Sequence, residues 1–284
     1  MKRLWFLILI ALVAALRADE PRAFSVRVAG SGRPMILIPG LASPGEVWES
    51  TVEHYQNGYR CHVLTLAGFA GQPSIQQPLL ETARQQLAAY IRVNKLDHPV
   101  IIGHSLGGFL ALDLAATEPD LVGPIVSIDG LPFLPALMNP AATAESGGKQ
   151  AERLRTAMAN QSAEQFAAQN RRSLTTMITS PADVDRMAAA GAKSDPRAVG
   201  DAMAELMSAD LRPLVSKIRV PVLLIGAGGL ARSGMKDRLA AAYEAQIASI
   251  PMHRFVLAEK ARHFVMLDDP QFLFQTIDAF LEQK

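Results

Sequence analysis

The chain has 284 residues, of which 49% are hydrophobic and 19% are charged, and its formal net charge is +1. This is the composition of an ordinary globular protein with enough apolar material for one large core. The near-neutral charge argues against a nucleic acid or another acidic polymer as the partner.

The N-terminal segment has the pattern of a secretory signal peptide. Lys2 and Arg3 precede thirteen uncharged residues, 4–16, and small residues lie close to a polar boundary at Arg17. Thirteen residues are too few for an ordinary membrane span, which needs about 20. An uncleaved membrane anchor is the alternative, and membrane contact is then expected only through this leader.

We expect residues 1–18 to be removed, with cleavage after Ala18 rather than after Ala15, and the mature protein to be periplasmic or secreted. This cleavage removes three basic residues and no acid, so the net charge of +1 becomes −2. Cys61 is the one cysteine of the chain, so no disulfide forms within it. We expect Cys61 to be a buried structural thiol.

Short apolar runs after the leader predict β-strands. Residues 24–28 alternate apolar and polar, as expected of an edge strand. Further strands are predicted over residues 35–38, 63–66, 100–102, 124–128, 221–225 and 255–257. Continuous apolar strands separated by helices are typical of a mostly parallel central sheet that is flanked by helices on both faces.

Segments between these strands have helical spacing. Helices are predicted over residues 80–93 and 106–116 and near the C-terminus, where Leu273, Ile277, Phe280 and Leu281 share one face. About ninety residues between Asp129 and Pro221 contain no convincing strand. Helices are predicted there over residues 150–158, 163–178, 182–190 and 196–207, with a loop at residues 146–148.

We therefore expect an α/β fold with a helical insertion over the sheet edge. The predicted domains are a core of residues 19–130 and 213–284 and a helical cap of residues 131–212.

The sequence Gly103-His104-Ser105-Leu106-Gly107 lies where a buried strand gives way to a helix. Gly-X-Ser-X-Gly in this context is typical of a nucleophile elbow, a tight turn that exposes a serine hydroxyl. Gly103 and Gly107 meet the need for small neighbours, because side chains there would collide with the adjoining strand and helix. A glycine-rich turn without chemistry is the alternative.

A serine nucleophile needs a base at neutral pH. Of the six histidines, His263 lies in a loop between the last strand and the last helix, at the sheet edge where the elbow emerges. The side chain of His104 is expected to point away from Ser105.

A negative charge that develops on the substrate oxygen needs hydrogen-bond donors. The candidate donors are the amides of Leu106, at the helix start, and of Leu41, after Pro39-Gly40. A plain turn at Pro39-Gly40 is the alternative.

Residues 24–284 resemble the α/β-hydrolase superfamily, in its capped, esterase-like branch. The resemblance depends on the elbow, Pro39-Gly40, residues 68–71 and the ARHF sequence that contains His263. The chain departs from the family with Pro39 in place of a frequent histidine, Thr65 in place of a frequent aspartate and Ala67 in place of a proline.

A catalytic triad also needs an acid that orients the histidine, and at this residue the chain departs further from the family. Most family members carry it after the strand that here covers residues 221–225, but residues 226–232 include no carboxylate. The resemblance implies a second position, one strand earlier, and Asp129 stands there. We therefore favour Asp129 over Asp237, which is expected inside a helix; a strand-end aspartate without a catalytic role remains the alternative.

The resemblance implies a carboxylesterase-like serine hydrolase that cleaves a small to medium apolar acyl substrate through Ser105, His263 and Asp129. No cofactor and no metal are expected, since neither His-Glu-x-x-His nor a Cys/His cluster occurs. We expect a monomer. The same scaffold supports lactonases, thioesterases and carbon–carbon bond hydrolases. A non-catalytic protein that binds an apolar ligand is a further alternative.

Overall fold

A computed structural model describes residues 22–232 and 234–282. The predicted signal peptide, residues 1–18, lies outside the described residues. In the part that is described, no helix is long and apolar enough to cross a membrane.

The central element is a seven-stranded sheet with the order β1-β3-β2-β4-β5-β6-β7. β1 pairs antiparallel with β3, and all other pairs are parallel. The strands are β1 Phe24–Gly30, β2 Arg33–Ile38, β3 Tyr59–Leu66, β4 Val100–His104, β5 Ile125–Ile128, β6 Val222–Ala227 and β7 His253–Ala258. The predicted mostly parallel sheet with an edge strand at its start is confirmed.

Helices cover both faces of this sheet. They are α1 Glu49–Tyr55, α2 Leu79–Val93, α3 Leu106–Thr117, α4 Ala144–Ala159, α5 Ala163–Met177, α6 Pro181–Gly191, α7 Pro196–Ser208, α8 Lys236–Ile247, α9 Val265–Asp268 and α10 Pro270–Leu281. Short 3-10 helices occupy Gly45–Trp48, Leu134–Leu137 and Val215–Lys217. The 3-10 helix Gly45–Trp48 and α1, which follow β2, were not predicted from the sequence.

Residues 35–38 of β2 show why this part of the strand is apolar throughout. Ile36 and Ile38 belong to one buried cluster, whereas Met35 and Leu37 belong to a second. Successive side chains of a strand point to opposite faces, so each face of the sheet packs its own core against a helical layer.

Four helices, α4–α7, lie between β5 and β6, and each begins at a polar side chain that accepts a hydrogen bond from the first turn. These capping residues are Thr143, Ser162, Ser180 and Asp195. A cap of this kind stabilises a helix by about 1 kcal/mol. The assignment of residues 131–212 as a separate cap domain stays a prediction.

The loop predicted at residues 146–148 is wrong, because these residues form the first turns of α4. Thr143 and Ser146 exchange hydrogen bonds in a capping box, which starts the helix upstream of the glycines. A Cβ on Gly147 would lie 2.2 Å from the carbonyl oxygen of Met207, in α7. Gly147 is therefore required by close helix packing and not by a turn.

The parallel strands end at a common edge of the sheet. Ile38 of β2 pairs with Gly103 of β4, His104 pairs with Ile128 of β5, and Ile128 pairs with Ile225 of β6. Residues that directly follow these strands therefore emerge side by side, as is usual for the ligand sites of open α/β sheets.

Candidate active site

Ser105 occupies a strained turn between β4 and α3. Its φ is 53° and its ψ is −117°, in a backbone region that side chains other than glycine rarely adopt. A Cβ on Gly103 would lie 2.1 Å from the carbonyl oxygen of Gly107, and a Cβ on Gly107 would lie 2.2 Å from that of Ile38. Both glycines are therefore required by the close approach of backbone.

The loop after β2 packs directly against the serine. A Cβ on Gly40 would lie 3.2 Å from the Cβ of Ser105. Leu41 follows in this loop, and Leu106 is the first residue of α3, so its amide is among those without an acceptor inside the helix. Two chain segments that contain the candidate oxyanion donors thus meet at Ser105.

His263 and Asp129 form a hydrogen-bonded pair. Nδ1 of His263 lies 2.5 Å from Oδ2 of Asp129, and the side chains are 26% and 10% exposed. Asp129 directly follows β5 and has a φ of 49°, so it also occupies a strained position. A Cβ on the next residue, Gly130, would lie 2.5 Å from the carbonyl oxygen of Ser105.

The other carboxylate oxygen of Asp129 is also satisfied. Oδ1 accepts hydrogen bonds from the hydroxyl of Tyr243, in α8, and from the amide of Ala227 at 3.1 Å. Burial alone would raise the pKa of Asp129, but the hydrogen bonds from His263, Tyr243 and Ala227 hold it below its usual value. The carboxylate is therefore ionised although it is nine-tenths buried.

His104 directly precedes Ser105 and packs against His263. Its ring centroid is 4.6 Å from that of His263, and its Nε2 is 3.0 Å from the backbone carbonyl oxygen of His263. Burial, reinforced by the charge of His263, lowers the pKa of His104 to about 3. His104 is therefore a neutral imidazole that donates to the backbone of the loop that contains the base.

Comparison with known proteins identifies the family of the chain. The model of a family described as the alpha/beta hydrolase family matches residues 35–276.

The chain belongs to the alpha/beta hydrolase family.

Relatives of this chain include esterases. Over 113 residues it is 30% identical to the pimeloyl-[acyl-carrier protein] methyl ester esterase of Vibrio atlanticus, a match that covers 40% of this chain and 42% of that protein. The esterase of the same name from Aliivibrio salmonicida is 24% identical over 208 residues, which cover 68% of this chain and 72% of that protein. In the first three relatives the match spans only 39–42% of the relative's length.

Solved structures share the fold over nearly the full length. The enol-lactonase from Burkholderia xenovorans LB400 superposes with a TM-score of 0.73, at 19% identity, over 92% of this chain and 96% of that chain. The resemblance to the α/β-hydrolase superfamily and the predicted fold are thereby confirmed.

Residues on both sides of His263 bond the loop that contains it to the helical insertion. The guanidinium of Arg262 donates to the carbonyl oxygens of Thr175 and Ile178, and the amide of Phe264 donates to the carbonyl oxygen of Met177. These contacts join the end of α5 to the base, and nothing in the local sequence signals them.

Several predicted residues lie away from this site. Asp237 is in the first turn of α8, as expected, and has no hydrogen bond to His263 among the contacts of the described residues. Cys61 is a buried thiol in β3, and burial raises its pKa to about 11. Within residues 22–232 and 234–282, no group of three or more His, Cys, Asp or Glu side chains is arranged to hold a metal ion.

Tyr243, Ala227 and Arg262 were missed by the sequence analysis. Tyr243 lies 114 residues from Asp129, and its partner depends on how α8 packs beside β6. The lack of a carboxylate in residues 226–232 was a partial signal. The amide of Ala227, the last residue of β6, donates instead to Asp129. Asp129 is hydrogen-bonded to His263, Gly130 packs on the carbonyl oxygen of Ser105, and the ring of His263 contacts that of His104. These contacts bring the loops that contain Asp129 and His263 to the Ser105 turn, with Leu41 and Leu106 adjacent.

Proposed function

We propose that this family member is a serine hydrolase that cleaves a carboxylic ester through a covalent acyl-enzyme. The proposal rests above all on the hydrogen bond between His263 and Asp129, together with the strained strand-to-helix turn that contains Ser105. Membership of the alpha/beta hydrolase family and the esterase relatives support it.

The tautomer of His263 suits the role of general base. Because Nδ1 donates its proton to Asp129, the lone pair is left on Nε2. Nε2 takes the proton of the Ser105 hydroxyl as the oxygen attacks the ester carbonyl carbon, and the Asp129 carboxylate stabilises the imidazolium that forms.

The attack moves an electron pair onto the carbonyl oxygen, which becomes an oxyanion. The amides of Leu41 and Leu106 are the proposed donors, and donors fixed before the reaction stabilise the developing charge without reorganisation. Collapse of this intermediate breaks the bond to the alcohol, and the imidazolium returns its proton to the leaving oxygen. Water, deprotonated by His263, then attacks the acyl-enzyme and releases the acid and the free serine.

The proposed substrate is an ester with a small to medium apolar acyl group, bound under the helical insertion, which would serve as the cap. The contacts of Arg262 and Phe264 with the end of α5 support this role, since they keep the insertion beside the base. The names of the relatives add a methyl ester to the compounds to be tested.

A hydrolysis screen tests the proposal. It uses p-nitrophenyl esters of graded acyl length, a methyl ester of a dicarboxylic acid, a lactone and a thioester, with Ser105→Ala as the blank. We expect ester hydrolysis in the wild type and none above background in Ser105→Ala. Preference for the lactone or the thioester would reassign the substrate, and no turnover by folded protein would favour the non-catalytic binding protein.

We also propose that the protein is exported and acts as a monomer. The basic start, the apolar segment and the small residues before Asp19 support the export of the chain. The mass of the protein purified from its native host tests this, with Asp19 expected at the N-terminus. A mature protein that retains residues 1–18 would contradict cleavage, and size-exclusion chromatography tests the monomer.

A further inference from the structure

The two carboxylate oxygens of Asp129 have separate partners. Oδ2 faces Nδ1 of His263 at 2.5 Å, whereas Oδ1 accepts from the Tyr243 hydroxyl and from the Ala227 amide. An ionised carboxylate only accepts hydrogen bonds, so the tyrosine must be the donor. Three donors thus fix the plane of a carboxylate at a strand end.

Tyr243 keeps its proton at any pH at which the protein works. Its side chain is 2% exposed, and burial, together with the nearby charge of Asp129, raises the pKa of its hydroxyl above the ordinary value. The hydroxyl therefore does not act as an acid or a base here. It is a permanent donor to Asp129.

The ring of Tyr243 is held in place by its neighbours. It stacks on Phe255 of β7, with centroids 5.6 Å apart and planes at 15°. A Cβ on Gly226 of β6 would lie 3.0 Å from both rings, so the glycine leaves the space in which they stack. A hydroxyl on so confined a ring has little freedom to leave its partner.

We propose that Tyr243 is a positioning residue of the site, whose hydroxyl holds the Asp129 carboxylate in the orientation that presents its other oxygen to His263. This inference rests on the proposed function, in which Asp129 orients the base.

Loss of this hydroxyl frees the Asp129 carboxylate to rotate. His263 is then less often aligned with Ser105, so kcat falls. KM, which depends on the binding of the substrate, is expected to stay the same.

Tyr243→Phe tests the proposal, since phenylalanine keeps the stacked ring and removes only the hydroxyl. Tyr55→Phe is the matched control, because Tyr55 is also buried and donates to an aspartate, Asp278, at 2.8 Å in another part of the fold. Both variants are assayed with the best p-nitrophenyl ester over a range of pH, and their unfolding midpoints are measured.

For Tyr243→Phe we expect kcat to fall roughly 10-fold, as for the loss of one hydrogen bond to a charged group. KM and the unfolding midpoint are expected to change little, whereas Tyr55→Phe keeps the wild-type kcat and KM. If Tyr243→Phe matches Tyr55→Phe in kcat, the positioning role is wrong and the tyrosine only packs.

Two further variants keep the test decisive. Phe255→Leu loosens the ring but keeps the hydroxyl, and a fall in kcat at constant KM is expected, so an unchanged kcat would count against the proposal. Activity retained in Ser105→Ala would overturn the proposed function and this inference with it. Activity lost in Ser105→Ala but unchanged in Tyr243→Phe would overturn this inference alone.

Discussion

The buried imidazole of His104 gives a prediction about stability and pH. Its ring is fully buried, and burial and the charge of His263 lower its pKa to about 3, against an ordinary value of about 6.5. Between pH 6.5 and about 3, His104 therefore binds a proton in the unfolded chain but not in the folded chain. The contribution of this group to stability is complete above pH 6.5 and is lost as the pH falls from there toward 3.

The expected loss follows from the two pKa values. Each unit of difference corresponds to about 1.4 kcal/mol, so the free energy of unfolding at pH 4 is lower by about 3 kcal/mol from this group alone. His104→Gln cannot titrate and keeps an N–H donor of similar reach. The difference in unfolding free energy between wild type and His104→Gln is thus expected to shrink by about 3 kcal/mol between pH 7 and pH 4.

Urea unfolding, followed by circular dichroism at several pH values, measures this difference. Other titrating groups are common to both proteins and largely cancel. His98→Gln is the control, since the side chain of His98 is 64% exposed and the variant should follow the wild-type curve. Parallel curves for wild type and His104→Gln would refute the reasoning, because they would mean that His104 takes up its proton equally in both states.

Three further predictions concern the elbow, the acid and a helix cap. Gly103→Ala should prevent folding, because its Cβ would lie 2.1 Å from backbone, and soluble protein with a wild-type unfolding midpoint would disprove the contact. Asp129→Asn should lower kcat at least ~10-fold while the fold survives; near-normal turnover, with a collapse in Asp237→Asn, would reverse the assignment of the acid. Glu205→Ala removes the acceptor of the first two amides of α2 and should lower the unfolding free energy in urea by about 1–2 kcal/mol, whereas no change would show that water replaces the cap.

The sheet and the elbow were predictable because their signals are local. Strand segments that are buried on both faces must be apolar, as residues 35–38, 100–102 and 222–225 are. A tight strand-to-helix turn requires glycines at Gly103 and Gly107. The position of His263 between the last strand and the last helix follows from the order of these elements along the chain.

Contacts between distant segments could not be predicted in the same way. Gly147 was interpreted as a loop residue because its role, the close approach of α4 to α7, depends on packing that the local sequence does not reveal. The sequence of α8 gives no signal of the role of Tyr243, because its partner, Asp129, follows β5, the neighbour of β6 in the sheet. The choice of the acid also required the spatial neighbours of His263.

The central claim is that the Ser105 hydroxyl, activated by His263, becomes covalently acylated. The most direct measurement is reaction with a fluorophosphonate, followed by peptide mass spectrometry of wild type, Ser105→Ala and His263→Gln. We expect one adduct on the peptide that contains Ser105, none in Ser105→Ala and slow labelling in His263→Gln. Folded wild type that stays unlabelled, or a Ser105→Ala variant that is still labelled, would contradict the account.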